Sequence, residues 1–152
     1  MQDSDWITPV EEMIRACHRT GAFIVVLPEY RPDQIVALAR QLGLPLFDYR
    51  GEIMSTLGWD ADRLTLQDLD AKLTELVAKS GAVVNNTEAL LSTKSEQERS
   101  AWIDRLLQTN WDHALVIPIV INAAHVPMVH PRVHRVPVGA MMEQSFINRL
   151  AY

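Results

Sequence analysis

The sequence predicts an α/β fold, a three-layer sandwich around a mostly parallel sheet of about five strands. Three observations predict it. Apolar runs rich in branched residues recur at 22–27 (AFIVVL), from 82 (AVV) and at 114–121 (ALVIPIVI), continuous rather than alternating, as in strands buried on both faces. Between them, apolar residues recur at helical spacing. Glycine or proline marks most of the junctions, so strands and helices alternate as they do in β-α units.

Each element follows in chain order. Thr8, Pro9 and Glu11 have the pattern of a helix N-cap, an N1 proline and the N3 acid of a capping box. Val10, Met13, Ile14 and Cys17 form that helix's stripe, and Gly21 stops it. After the strand at 22–27, Pro32 opens a second helix with the stripe Ile35, Leu38, Ala39 and Leu42, ended by Gly43. Residues 45–49 form a short second strand, and 51–57 one or two helical turns up to Gly58. Thr65 begins a longer helix with Asp68 at N3; Leu66, Leu69, Leu73 and Leu76 are its buried face, and Gly81 closes it. The third strand starts at 82 and runs into Asn85, Asn86, Thr87 and Glu88. Ser95 and Glu98 make a second capping box, followed by Trp102, Ile103, Leu106 and Leu107 on one face. The fourth strand, 114–121, contains Pro118, whose missing ladder donor points to a bulge or an edge. Residues 133–138 make a fifth strand, and Met142, Phe146, Ile147 and Leu150 the stripe of a last helix.

With 152 residues, 48% hydrophobic and 22% charged, the chain suits one domain over 1–152, with no internal repeat or linker. A net charge of −5 argues against a nucleic-acid partner, which attracts a basic field. The single cysteine, Cys17, excludes an internal disulfide, fits a reducing compartment, and lies on an apolar stripe where packing is its expected role. The first residues are acidic and polar, unlike a secretory leader, and the longest apolar run is far below the ~20 residues of a membrane span. The expectation is a soluble cytoplasmic protein without a membrane partner.

In open parallel sheets, ligands sit beyond the carboxyl ends of the strands. The residues there are Glu29, Tyr30 and Arg31 after the first strand, Asp48, Tyr49 and Arg50 after the second, Asn85 to Glu88 after the third, and Asn122 to His125 after the fourth. From these, Glu29, Arg31, Asp48, Arg50, Asn86, Glu88, Asn122 and His125 form the candidate ligand or partner site. Loops are also polar because they meet water, and that reading needs no site. No catalytic residue, metal or cofactor is assigned.

The order of elements, the stretch AVVNNTEALL (82–91), Asn122 closing the fourth strand, and VHRVPVGAMMEQSFINRLA (133–151) together resemble the core of the P-loop NTPases, the AAA+ branch in particular. The likeness covers roughly residues 22–150 and implies a P-loop-NTPase-like or Rossmann-like architecture. It also implies a Walker B strand followed by its apolar continuation within 82–91, a sensor-one polar residue at Asn122, and a last core strand and helix from 133 onward. The chain departs from that family where phosphate and magnesium would bind. The turn 28–34 (PEYRPDQ) has neither the glycines that let backbone N–H groups approach phosphate nor the lysine. Its two prolines remove donors, and Glu29 and Asp33 oppose an anion, with Arg31 the only compensating charge. Asn85 and Asn86 stand where magnesium would favour carboxylates, and Glu88 lies beyond the strand. Poor phosphate binding and no nucleotide hydrolysis are expected.

Other chemistry is thin. His125, His130 and His134 cluster within ten residues, but Pro127 and Pro131 interrupt them, no H-E-x-x-H is present, and Arg132 and Arg135 disfavour a cation. The stretch 130–135 (HPRVHR) is the most basic surface candidate, weighed against a solvated strand edge. Cys17 and His18 are adjacent on a helix and point apart, and no G-x-S-x-G elbow occurs. Asp48 and Glu88 would pair as acid and base if their strands lay side by side. Of four tryptophans, Trp102 falls on a core stripe, Trp111 has no assigned role, and Trp59 and Trp6 are candidate contact residues, with packing under a loop the simpler account.

Three readings follow. The first is a non-catalytic interaction or regulatory protein on a degenerate P-loop-like scaffold, its partner another protein, a larger subunit or a second copy in a homo-oligomer. The second is a small enzyme using Asp48, Glu88, Asn122 and His125. The third is a small-ligand-binding module in which Arg31 and Arg50 hold an anion.

Overall fold

Local chemistry sets most helix ends in the computed structural model, which describes residues 6–141. Helix α4 (Leu66–Lys79) starts at a reciprocal capping box between Thr65 and Asp68, and α6 (Glu96–Gln108) at one between Ser95 and Glu98. Each N-cap contributes about 1 kcal/mol by satisfying otherwise free N–H groups. Helix α2 (Pro32–Leu42) opens on its proline and closes at Gly43, which is left-handed at φ 69°. Helix α1 (Thr8–Ala16) corrects the expectation. Thr8 lies inside the helix, Ile7 is the N-cap, and no side chain caps it. The box with Glu11 does not form, because a proline in the first turn removes one donor and the Glu11 N–H already donates to the Ile7 carbonyl. The Glu11 carboxylate turns to Gln41 instead.

Five strands, β1 (Gly21–Val26), β2 (Leu46–Asp48), β3 (Ala82–Asn85), β4 (Ala114–Ile119) and β5 (Val133–Arg135), form one sheet in the order β2-β3-β4-β1-β5. Every pairing is parallel. Alternate residues of the central strands face two cores. On one side Ala22, Ile24, Val84, Leu115 and Ile117 meet Leu69 and Leu73 of α4 and Trp102, Ile103 and Leu106 of α6. On the other, Phe23, Val25, Val83 and Val116 meet Val10 and Ile14 of α1 and Ile35 and Leu38 of α2. The result is a three-layer α/β/α sandwich, and the continuous apolar runs are strands covered on both faces. No helix among the described residues is long and apolar enough to cross a membrane.

Several features of the chain path bear on the site. After Asn85 the chain does not continue as strand; Asn86 turns left-handed at φ 64° and leads into α5 (Thr87–Leu91). Asparagine tolerates that backbone better than most residues, so the pair of asparagines is a strand-ending signal. Pro118, expected at an edge or a bulge, sits in β4 with β1 on one side and β3 on the other. The Leu27 N–H donates to the Ile119 carbonyl, so odd-numbered residues of β4 face β1 and even-numbered ones face β3. The β3–β4 register stops at Val83–Val116, so the proline's missing donor falls where β3 offers no further rung. The fourth strand ends at Ile119 and the fifth at Arg135, both shorter than expected. Between β2 and α4 the chain makes a π-helical turn (Arg50–Met54), a single α turn, α3 (Ser55–Leu57), and a 3-10 turn (Gly58–Arg63). The expected helix with the stripe Met142, Phe146, Ile147 and Leu150 lies outside the described residues.

Candidate functional site

The carboxyl edge of the sheet is tied together from the end of β3. Three side chains there reach three different neighbours. Asn85 Nδ2 donates to the Tyr30 hydroxyl beyond β1 at 3.2 Å. Asn86 Nδ2 donates to Asp48 Oδ1 at the end of β2 at 2.8 Å. Glu88 accepts from the backbone N–H groups of Val120, Ile121 and Asn122 and from Asn122 Nδ2, at 2.7 to 3.0 Å. The parity of β4 explains the last contact. Val120 is the next even-numbered residue after Pro118, so its N–H faces the β3 side, and a carboxylate from beyond β3 accepts it in place of a strand. Four donors on one carboxylate, with Asn122 itself buried, make this a fixed joint.

The amides at 85 and 86 have a structural rationale as well. Asp48 Oδ1 also accepts the Gly51 N–H at 3.1 Å, which pins the chain as it leaves β2. An aspartate at 86 would set one carboxylate against another, whereas asparagine supplies the donor. Asp48 and Glu88, weighed as an acid–base pair, are directed to different partners. Asn86 lies against Asp48, and the Glu88 carboxylate faces the turn after β4.

The turn after β1 carries no spare positive charge. Arg31 Nε and Nη2 donate to the two carboxylate oxygens of Asp33 at 3.1 and 2.8 Å, and Glu29 lies 4.0 Å from Nη1. The hydrogen bonds from Arg31 hold the Asp33 carboxyl below its ordinary range, and those same bonds raise the arginine's pKa. Glu29, Arg31 and Asp33 together therefore present a net negative charge. Trp6, a candidate contact residue, is buried here, its indole N–H donating to Gln34 Oε1 at 2.9 Å.

Of the other expected site residues, the side chains of Arg50 and His125 have no hydrogen-bonding or ion-pairing partner among the described residues. Arg50 is exposed and His125 is half-buried in a 3-10 turn. The basic stretch after β4 is largely occupied. Arg135 Nη2 donates to the carbonyls of Ala123, Val126 and Pro127, pinning the connection into β5. Arg132 donates to the Thr20 carbonyl at 2.6 Å and lies 5.0 Å from the centre of the Phe23 ring. His130 Nδ1 accepts the Arg132 N–H, and His134 is half-buried on β5. No three metal-ligating side chains converge among the described residues.

The expected polar groups follow the carboxyl ends of the strands, and Tyr30 and Asn85, which the candidate site left out, join them there. Their position after strands was the only signal. Sequence reasoning missed the amino-terminal edge altogether, where an open cavity of about 300 Å³ lies between the ends of α1 and α2 and the start of β4. Compared with known proteins, the chain matches no protein-family model, no curated protein and no solved structure.

Proposed function

We propose that this chain is a non-catalytic interaction or regulatory protein on a P-loop-NTPase-like scaffold, and that it does not hydrolyse nucleotide. The observation that carries the reading is the mutual engagement of the carboxyl-edge groups. Arg31 is taken by Asp33, Asp48 by Asn86 and Gly51, and Glu88 by four donors around Asn122. A catalytic base needs a free lone pair within reach of a substrate proton, and a phosphate site needs unpaired donors. The turn after β1 has neither glycine nor lysine to supply the latter. The enzyme reading rests on the same Asp48, Glu88 and Asn122 together with His125, and the anion reading on Arg31 together with Arg50. Each therefore draws mainly on groups already bonded within the protein and keeps one side chain, His125 or Arg50, without a partner among the described residues. A folded surface whose edge carboxylates and Arg31 are bonded within the protein is suited to binding through shape and apolar contact.

Isothermal titration of the full chain with ATP and magnesium is the direct test. No heat of binding is expected at millimolar nucleotide; an isotherm with a micromolar dissociation constant would overturn the reading. Affinity capture from the native host, followed by identification of the retained protein, then names the partner.

A further inference from the structure

Among the described residues, an almost fully exposed tryptophan and an open cavity lie at opposite ends of the sheet. Trp59 is 95% exposed, on the 3-10 turn that follows β2 and precedes α4, which places it at the carboxyl edge. Gly58, at φ 57°, turns the chain there, and Leu57 beside it is 40% exposed. An indole that covers nothing is an unusual surface residue, and tryptophan is over-represented among the anchors of protein contacts. The cavity, about 300 Å³, lies at the amino edge, where α1 and α2 end and β4 begins. Ile14, Leu42 and Leu44 give it apolar walls, and Arg15, Arg19 and His113 its rim. Arg15 and Arg19 form no ion pair among the described residues, while the nearest acid in the lining, Glu11, accepts from Gln41. His113 donates Nδ1–H to the Val77 carbonyl, and its Nε2 has no partner among the described residues.

The two surfaces are complementary in charge. Residues 48–63 hold Asp48, Glu52, Asp60 and Asp62 against Arg50 and Arg63, a net charge of −2, with two of the acids within three residues of the indole. The cavity lining holds two arginines against one glutamate, a net charge of +1. Guanidinium groups also stack on indole faces. The geometry points to a second copy of this chain as the occupant: Trp59 of one copy seats in the amino-edge cavity of the next, with Asp60 and Asp62 facing Arg15 and Arg19. The knob and the hole lie on different edges, so the contact is heterologous, head to tail, and a pair keeps one copy's cavity and the other copy's tryptophan unfilled. The contact is independent of the function proposed above, whose failure would appear as an ATP isotherm and not as a change in molecular mass.

Sedimentation velocity of the full chain at low ionic strength, over rising concentration, tests the contact. The parent associates. Trp59→Ala lacks the knob and Arg15→Glu/Arg19→Glu reverses the rim; both change exposed positions, and circular dichroism with thermal melting checks that they fold like the parent. Each variant is expected to associate at least tenfold more weakly. An equimolar mixture re-forms a one-to-one dimer and nothing larger, because one variant supplies the cavity and the other the tryptophan. A parent that stays monomeric up to about 1 mM overturns the inference. So does association that survives Trp59→Ala, or a mixture of two folded variants that fails to pair, since a two-fold symmetric interface or another occupant would then be responsible.

Discussion

Glu88 shows how much one residue's role depends on what surrounds it. In the sequence it is an acid just past an apolar run; in the fold it receives four hydrogen bonds and closes the turn after β4. Glu88→Gln would replace one accepting oxygen by an N–H₂ group facing backbone donors. A loss of about 2–3 kcal/mol is expected in urea unfolding with an unchanged slope. A loss below about 0.5 kcal/mol would show that the joint is dispensable. His134 gives a pH signature of its own. Burial lowers its pKa below the ordinary imidazole value, so as pH falls the unfolded chain takes up the proton before the folded one. Its contribution is therefore complete above the unfolded pKa of about 6.5 and is lost as pH falls from there through the folded pKa. Melting temperature should decline over that window, and His134→Gln should decline less. Parallel curves for the two proteins would assign the acid sensitivity elsewhere.

Among the elements, the junction of α4 and β3 is the most constrained. Gly81 is left-handed at φ 83°, and a Cβ there would overlap the carbonyl oxygen of Ala114 at the start of β4. Gly81→Ala meets both backbone strain and a clash that only a shift of β4 could relieve. A destabilisation of about 2–4 kcal/mol is expected, measured by chemical denaturation. A variant as stable as the parent would mean that β3 and β4 are not held this closely. The same scale shows what was legible. The capping boxes at Thr65/Asp68 and Ser95/Glu98 and the Pro32 and Gly43 boundaries form as read, because each is settled within four residues of chain. Pro118, expected at a bulge or an edge, lies inside the sheet. Whether a missing N–H marks an edge depends on which strand lies beside it, and which neighbours the two asparagines at the end of β3 bind depends on tertiary packing.

For the molecule as a whole, charge is distributed unevenly, with an acidic excursion around Trp59 and arginines at the opposite edge. The head-to-tail contact should accordingly weaken as salt rises, since its charged part is exposed and screened within about 10 Å at 0.1 M. Its apolar part should persist. The candidate site divides in the same way. The edge of the sheet at which Glu29, Arg31, Asp48, Asn86, Glu88 and Asn122 gather was readable from the order of strands and helices alone, since parallel β-α units put every post-strand loop at one end. Their pairings were not, because the sequence holds no record that β4 lies between β1 and β3. By itself the sequence determined the α/β class, the double burial of the strands and the absence of glycine and lysine from the turn at 28–34, all of them properties of local pattern and residue chemistry. Only the tertiary structure decided that Asp48, Glu88 and Arg31 find partners within the protein, that Trp6 is buried while Trp59 is bare, and that a cavity opens at the far edge. Those outcomes depend on contacts between residues far apart in the chain, such as the 28 residues that separate Trp6 from Gln34.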